Sequence, residues 1–125
     1  MKAFVTCRGK AEVFGKTIEK DDVFTTDKHA FLSESHYGIS TNNEFSAKLI
    51  RDSKVFVVNF LDKDIDLSNS GQYIDKFEES GIVKEEAESV DCPRIAGSEF
   101  LECEVVEEIS LGSHVLFVGK IRNKK

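Results

Sequence analysis

The hydrophobic positions come in short runs, and most of them alternate with polar residues. Ala3 to Arg8 reads as a strand, Gly9-Lys10 as a turn, and Ala11 to Ile18 as a second strand. Glu19 to Asp22 is a charged break. Val23 to Thr26 and Ala30 to Ser33 are β-branched or aromatic, with Asp27-Lys28 turning between them, and Tyr37 to Ser40 closes this first β section. The period changes only after Ser40. Asn42 or Asn43 is placed to cap a helix reaching about Asp52, with Phe45, Leu49 and Ile50 as its inward stripe. So short a helix needs a sheet to dock on.

Val55 to Phe60 is apolar apart from Asn59, which predicts a strand buried on both faces. A buried amide needs partners for its donors and its acceptor, so Asn59 either closes a backbone edge or meets a ligand. Asp62 to Asn69 is polar, with a helical turn expected around Ile65 and Leu67. Asn69-Ser70-Gly71 reads as loop; Asp75 then opens a helical turn over 76–80 that Gly81 stops. This segment is either a lid over a pocket or a surface connection pinned by an inward Phe77. Ile82 to Val90 predicts an irregular helix, and Pro93 makes Asp91 to Arg94 extended. From Phe100 to Ile109, Leu101, Cys103 and Val105 face the core while Glu102 and Glu104 face water. Leu111-Gly112-Ser113 turns the chain into a partner strand, His114 to Ile121. Some seven strands and one clear helix predict a β barrel with helical inserts.

The 125 residues suit a single domain, 1–125, and 40% hydrophobic with 32% charged residues suits a globular one. A net charge of −6 argues against a nucleic-acid partner, and Lys120, Arg122, Lys124 and Lys125 read as a solvated tail. The absence of an apolar run near the ~20 residues of a membrane span predicts no membrane partner. Met1 to Cys7 turns polar at once, so no signal peptide is expected. Three cysteines without a CxxC spacing predict reduced thiols and a cytoplasmic location. His29, His36 and His114 are not spaced as a metal set, so no metal is expected. Glu78-Glu79, Glu85-Glu86 and Glu107-Glu108 cannot converge on one face and read as solvated charge. His114, just after the Gly-Ser turn, is either a barrel-rim group or a partly exposed turn histidine.

Four stretches carry a further signal: Phe56-Val57-Val58-Asn59 behind its helix; Ser70-Gly71-Gln72-Tyr73-Ile74-Asp75-Lys76-Phe77; Phe100-Leu101-Glu102-Cys103; and Leu111 to Ile121. Their order and residues resemble the FxVN, SGxxxDKF, xxEC and G(D/S)HxxFxGxV motifs of the flavin reductase-like, FMN-binding split-barrel family. The resemblance implies a mainly β fold, an antiparallel, Greek-key-like split barrel of six strands with one or two helices. It also implies a homodimer with FMN near the subunit interface. Electrons would pass between NAD(P)H, FMN and an acceptor such as free flavin or a small redox protein. By position it assigns Ser40, Thr41, Asn42, Asn43 and Ser46 to the phosphate side, at a helix start suited to an anion. Thr17, Asn59, Asp75, Lys76 and Phe77 fall near the flavin, and His114 falls beside the nicotinamide site as the catalytic candidate. Where the family has N-x-M-T-x-(A/S)-W and S-x-D-P, this chain keeps Thr17 and Asp27 but carries Glu19 and Lys20. Glu44 stands where a basic residue is common. These departures favour the alternative, a non-catalytic binding module with a degenerated flavin site.

Overall fold

The structure, a computed structural model, describes residues 2–63, 65, 67 and 75–125; the expected loop at 69–71 and the rest of the stretch to Ile74 lie outside the described residues. Within them the chain forms β1 (Ala3–Val13), β2 (Lys16–Thr26), β3 (His29–Phe31), β4 (His36–Thr41), α1 (Glu44–Ser53), β5 (Val55–Phe60), α2 (Lys76–Ser80), β6 (Lys84–Glu86), β7 (Pro93–Ile95), β8 (Glu99–Leu111) and β9 (His114–Lys124). Seven strands make one sheet in the order β2-β1-β5-β8-β9-β4-β3, every pair antiparallel, one strand more than the resemblance implies because β3 adds a short edge. The sheet curls until Thr26, at the end of β2, donates to the Ser40 carbonyl of β4 at 2.7 Å. Phe56, Phe117, Leu49, Ile50, Ile39, Val5 and Val58 fill the interior.

The first hairpin turns at Phe14-Gly15, with Val13 opposite Lys16, and not at Gly9-Lys10. Gly9 serves a different purpose. A Cβ there would lie 2.6 Å from the Leu49 carbonyl oxygen, so the missing side chain lets α1 lie directly on β1. Glu19 to Asp22 is no break either; these residues run within β2, where Asp21 pairs with Arg8 at 2.7 Å and Asp22 is buried. At the helix start, Asn43 is the cap, accepting from the Ser46 N–H. α2 follows its sequence signals: Asp75 accepts from Phe77 and Glu78, and Gly81 closes the turn at φ 72°. Phe77 points inward against Phe4, Val23, Ile82 and Ile95.

Three other expectations are corrected. Residues 84–86 are strand β6 paired with β7, not helix, because alternation sends Glu85 to Arg94 (2.6 Å) and Glu86 to Arg8 (2.6 Å). Glu102 does not face water. The 87–92 segment folds over its side of β8, and its carboxylate accepts from the Glu88 and Ser89 N–H groups and from Arg94 at 2.7 Å. Lys120, Arg122 and Lys124 belong to β9 and form no tail. Cys7, Cys92 and Cys103 are buried free thiols; burial raises all three, Cys103 to about 12. Among the described residues no helix is long and apolar enough to cross a membrane, and no cluster of His, Cys, Asp and Glu is placed to hold a metal.

Arg8 joins β1, β2, β6 and the β6–β7 connection, with Asp91 2.8 Å away and Glu86 and Asp21 as above. Hydrogen bonding to Arg8 holds the Glu86 carboxyl below its ordinary value. Burial alone would raise Asp21, but hydrogen bonds from Arg8 and Lys84 outweigh it and hold the carboxyl low. Carboxyls depressed by folding add stability above their unfolded pKa and lose it as pH falls through the folded one. Urea titrations are therefore expected to give constant stability from about pH 8 to 5 and a decline below about pH 4.5, the unfolded Glu range. Arg8→Met should flatten that decline; an unchanged pH profile would remove the cluster as its cause.

Candidate functional site

Where β2 meets β4, the curled sheet leaves a cleft of about 310 Å³, at the lower end of the size range for small-molecule sites. One wall is the end of β4 and the chain after it, Ser40, Thr41 and Asn42. The other is the β2–β3 turn, Thr25 to Lys28, with Lys2 and His114 completing the rim. Backbone and side-chain bonds set this turn: the Lys28 N–H donates to Thr26 Oγ1 at 3.1 Å, and the Ser40 N–H donates to the Lys28 carbonyl at 2.9 Å. His114 opens β9 opposite Leu111, with its Nδ1 3.3 Å from Ser113 Oγ.

The cleft continues into a smaller recess at the start of α1, lined by Thr41, Asn42, Asn43, Glu44, Arg51 and neighbours. The Asn43 N–H donates to Thr41 Oγ1 at 3.0 Å and the Ser46 N–H to Asn43 Oδ1 at 3.1 Å. Those bonds meet part of the donor excess that a helix start carries; Glu44 and Phe45 carry the remaining N–H groups outside the helix ladder. The helix start faces the recess, and Lys2 and Lys28 line the adjoining main cleft; a helix N-terminus and ammonium groups are both features that favour an anion. Asp27 acts against it, 3.4 Å from Lys28, whose hydrogen bond holds the Asp27 carboxyl below its ordinary value.

The structure thus brings together Ser40, Thr41, Asn42, Asn43 and His114, from two distant parts of the chain. The other expected site residues lie elsewhere. Thr17 is exposed near the tip of the first hairpin. Asn59 is fully buried and closes a backbone edge: its amide donates to the Phe4 carbonyl at 3.0 Å and accepts from the Ile95 N–H at 2.8 Å. Ser46 and Lys76 are buried against Asp22, at 2.5 and 3.0 Å. Phe77 is core, and Asp75 lines a separate recess with Glu19, Lys20, Asp21 and Lys84. Glu19 and Lys20 therefore do not line the main cleft. Lys2, Thr25 and Thr26 are cleft residues that the sequence reading did not select. The signal for this wall is the Thr25-Thr26-Asp27-Lys28 stretch, in which Thr25-Thr26 reads as the end of a β-branched run, Asp27-Lys28 as a turn, and the whole as the counterpart of S-x-D-P.

The cleft is polar, lined by the hydroxyls of Thr25, Thr26, Ser40 and Thr41, the Asn42 amide, the ammonium groups of Lys2 and Lys28 and the Asp27 carboxylate. Fold and cleft together define an antiparallel split barrel with an anion-accepting groove at a helix start. The chain belongs to the flavin reductase like domain family, which it matches over residues 4–125. A sequence search among curated proteins returns no match. Among solved structures it is similar to the 2-nitrobenzoate 2-nitroreductase NbaA of Pseudomonas fluorescens, at 21% identity and TM-score 0.78, covering 99% of this chain and 63% of that one. Flavin reductase HpaC complexed with NADP+ matches at 22% identity and TM-score 0.72, covering 99% of this chain and 76% of that one. The FMN-binding protein from Thermus thermophilus with bound 1-cyclohex-2-enone matches at 20% and 0.74, covering 99% and 68%. The chain therefore spans only 63% of the length of the nitroreductase it matches.

Proposed function

We propose that the chain is an FMN-binding flavoprotein of the flavin reductase type, passing electrons from NAD(P)H or a small redox protein to an acceptor. The observation that carries this is the convergence of Ser40, Thr41, Asn42 and His114 on one cleft beside Lys2 and Lys28. In this reading Lys28, Lys2 and the α1 N-terminus hold the phosphate, and Ser40, Thr41 and Asn42 exchange hydrogen bonds with the polyol. His114 brings an imidazole, donor or acceptor according to tautomer, to the rim where a nicotinamide would approach. Bound FMN supplies the hydride and electron chemistry. Thr17, Asn59, Ser46, Asp75, Lys76 and Phe77 are not part of this binding set.

A homodimer belongs to the same reading. Ile109 pairs with Leu116, Leu111 with His114, and Leu116 with Ser40, so an apolar sheet face runs up to the cleft. Ile109 and Leu111 are exposed on it, as is Leu32, which packs beside Gly38. We place the protein in the cytoplasm, in keeping with its free buried thiols. A second reading, a binding module without redox activity, draws on Asp27 and Glu44, two carboxylates at the anion end.

The test is a visible spectrum after adding excess FMN and desalting, with sedimentation of the same sample. Retained flavin bands and twice the 14.0 kDa chain mass are expected. Lys28→Ala should weaken FMN about tenfold, the effect of one charge-assisted phosphate contact. No retained flavin would reject the first reading and favour the second.

A further inference from the structure

Behind the cleft, outside its lining, lies a buried ionic group. Asp22 of β2 and Lys76 of α2 are 1% and 4% exposed and 3.0 Å apart. The other Asp22 oxygen accepts from Ser46 Oγ at 2.5 Å, and Lys76 Nζ also donates to the Val23 carbonyl at 3.2 Å. Ser46 sits in the first turn of α1, where its own N–H is held by Asn43 Oδ1 and the Asn43 N–H is held by Thr41 Oγ1. A chain of polar contacts therefore runs from α2 through Asp22 to the cleft wall at Thr41.

We infer that Asp22 is a positioning residue for the cleft, tying α2 through Lys76 to the first turn of α1 through Ser46. The inference rests on the reading of the cleft as a flavin phosphate site but concerns groups that do not line it. Two features give it force. A charge pair this deep holds its geometry tightly, since moving either member leaves the other unpaired in a dry interior. The bonds at Asn43 and Ser46 also fix the direction of the N–H groups that face an incoming anion. Asp22 carries no contact with the ligand itself; its effect is on where α1 begins.

The test uses Ser46→Ala and the double variant Asp22→Asn/Lys76→Met, which removes both charges together and leaves neither unpaired. The first readout is amide hydrogen exchange of the ligand-free protein, which reports local opening. Faster exchange is expected over 43–47 in the double variant, and over 76–80 as well as 43–47 in Ser46→Ala. The second is the preference for FMN over riboflavin, which lacks the phosphate. Both variants should lose about tenfold of that preference, within the usual range of coupling between sites, while riboflavin binding stays within about twofold. A purely structural role would weaken both ligands alike. A direct Ser46 contact to phosphate would leave 43–47 exchange unchanged in the double variant, which keeps the serine. Either result overturns the inference. If the wild-type protein binds neither flavin, the cleft reading fails, and the exchange readout alone decides the link between the helices.

Discussion

Lys76→Met is expected to lower stability by about 3–5 kcal/mol, the loss seen when one member of a buried ion pair is removed. The side chain is buried at 4% exposure, its ammonium is 3.0 Å from Asp22, and Asp22 is 1% exposed. Without the ammonium, the carboxylate keeps the Ser46 hydroxyl bond but no countercharge. The methionine fills most of the lysine volume, so the loss is electrostatic and not that of a cavity. Urea unfolding should show a lower midpoint at unchanged slope. Asp22→Asn/Lys76→Met should recover most of the loss, because neither charge is then left alone. A single variant as stable as wild type would mean that water reaches the pair.

Gly9→Ala is the second. Its methyl carbon would lie 2.6 Å from the Leu49 oxygen and 2.8 Å from the Leu49 Cα. These are backbone atoms of α1 and cannot rotate away, so the helix must shift from β1. Overpacking of this kind lowers stability by about 1–3 kcal/mol, and Gly9→Val should exceed Gly9→Ala. Because α1 also frames the cleft, FMN retention after desalting should fall along with the thermal midpoint. Gly15 is the control: an added Cβ there meets nothing within 4 Å, at φ 78°. Gly15→Ala should show only the strain of a left-handed residue, about 1–2 kcal/mol, with FMN retention unchanged. Full retention of flavin in Gly9→Ala would separate the cleft from the seating of α1.

The two glycines show how far local reading reaches. Gly9 lies between Arg8 and Lys10 and Gly15 between Phe14 and Lys16, settings that both suit a turn, and nothing within a few positions tells which one the hairpin uses. The difference is Leu49, some forty residues away. The same limit produced the reading of Glu102 as solvent-facing. Alternation holds from Leu101 to Val105, before a register shift between Val105 and Glu107 interrupts it, and Glu102 does stand on the face opposite Leu101 and Cys103. The 87–92 segment covers that face, and Arg94 and the Ser89 N–H make the burial tolerable.

What the sequence determined by itself is what depends on near neighbours. Alternation placed the late hairpin and its Gly112-Ser113 turn, the Asn42-Asn43 pair marked the start of α1, and Asp75 and Gly81 bounded α2. Resemblance then carried the family. Only the tertiary structure decided which polar side chains face the cleft. Asn59, Ser46 and Lys76 carry the right chemistry, but their partners are Phe4, Asp22 and Val23, contributed by the first two strands. A polar group binds a ligand only if folding leaves its hydrogen bonds unspent, and that depends on which distant strand arrives beside it.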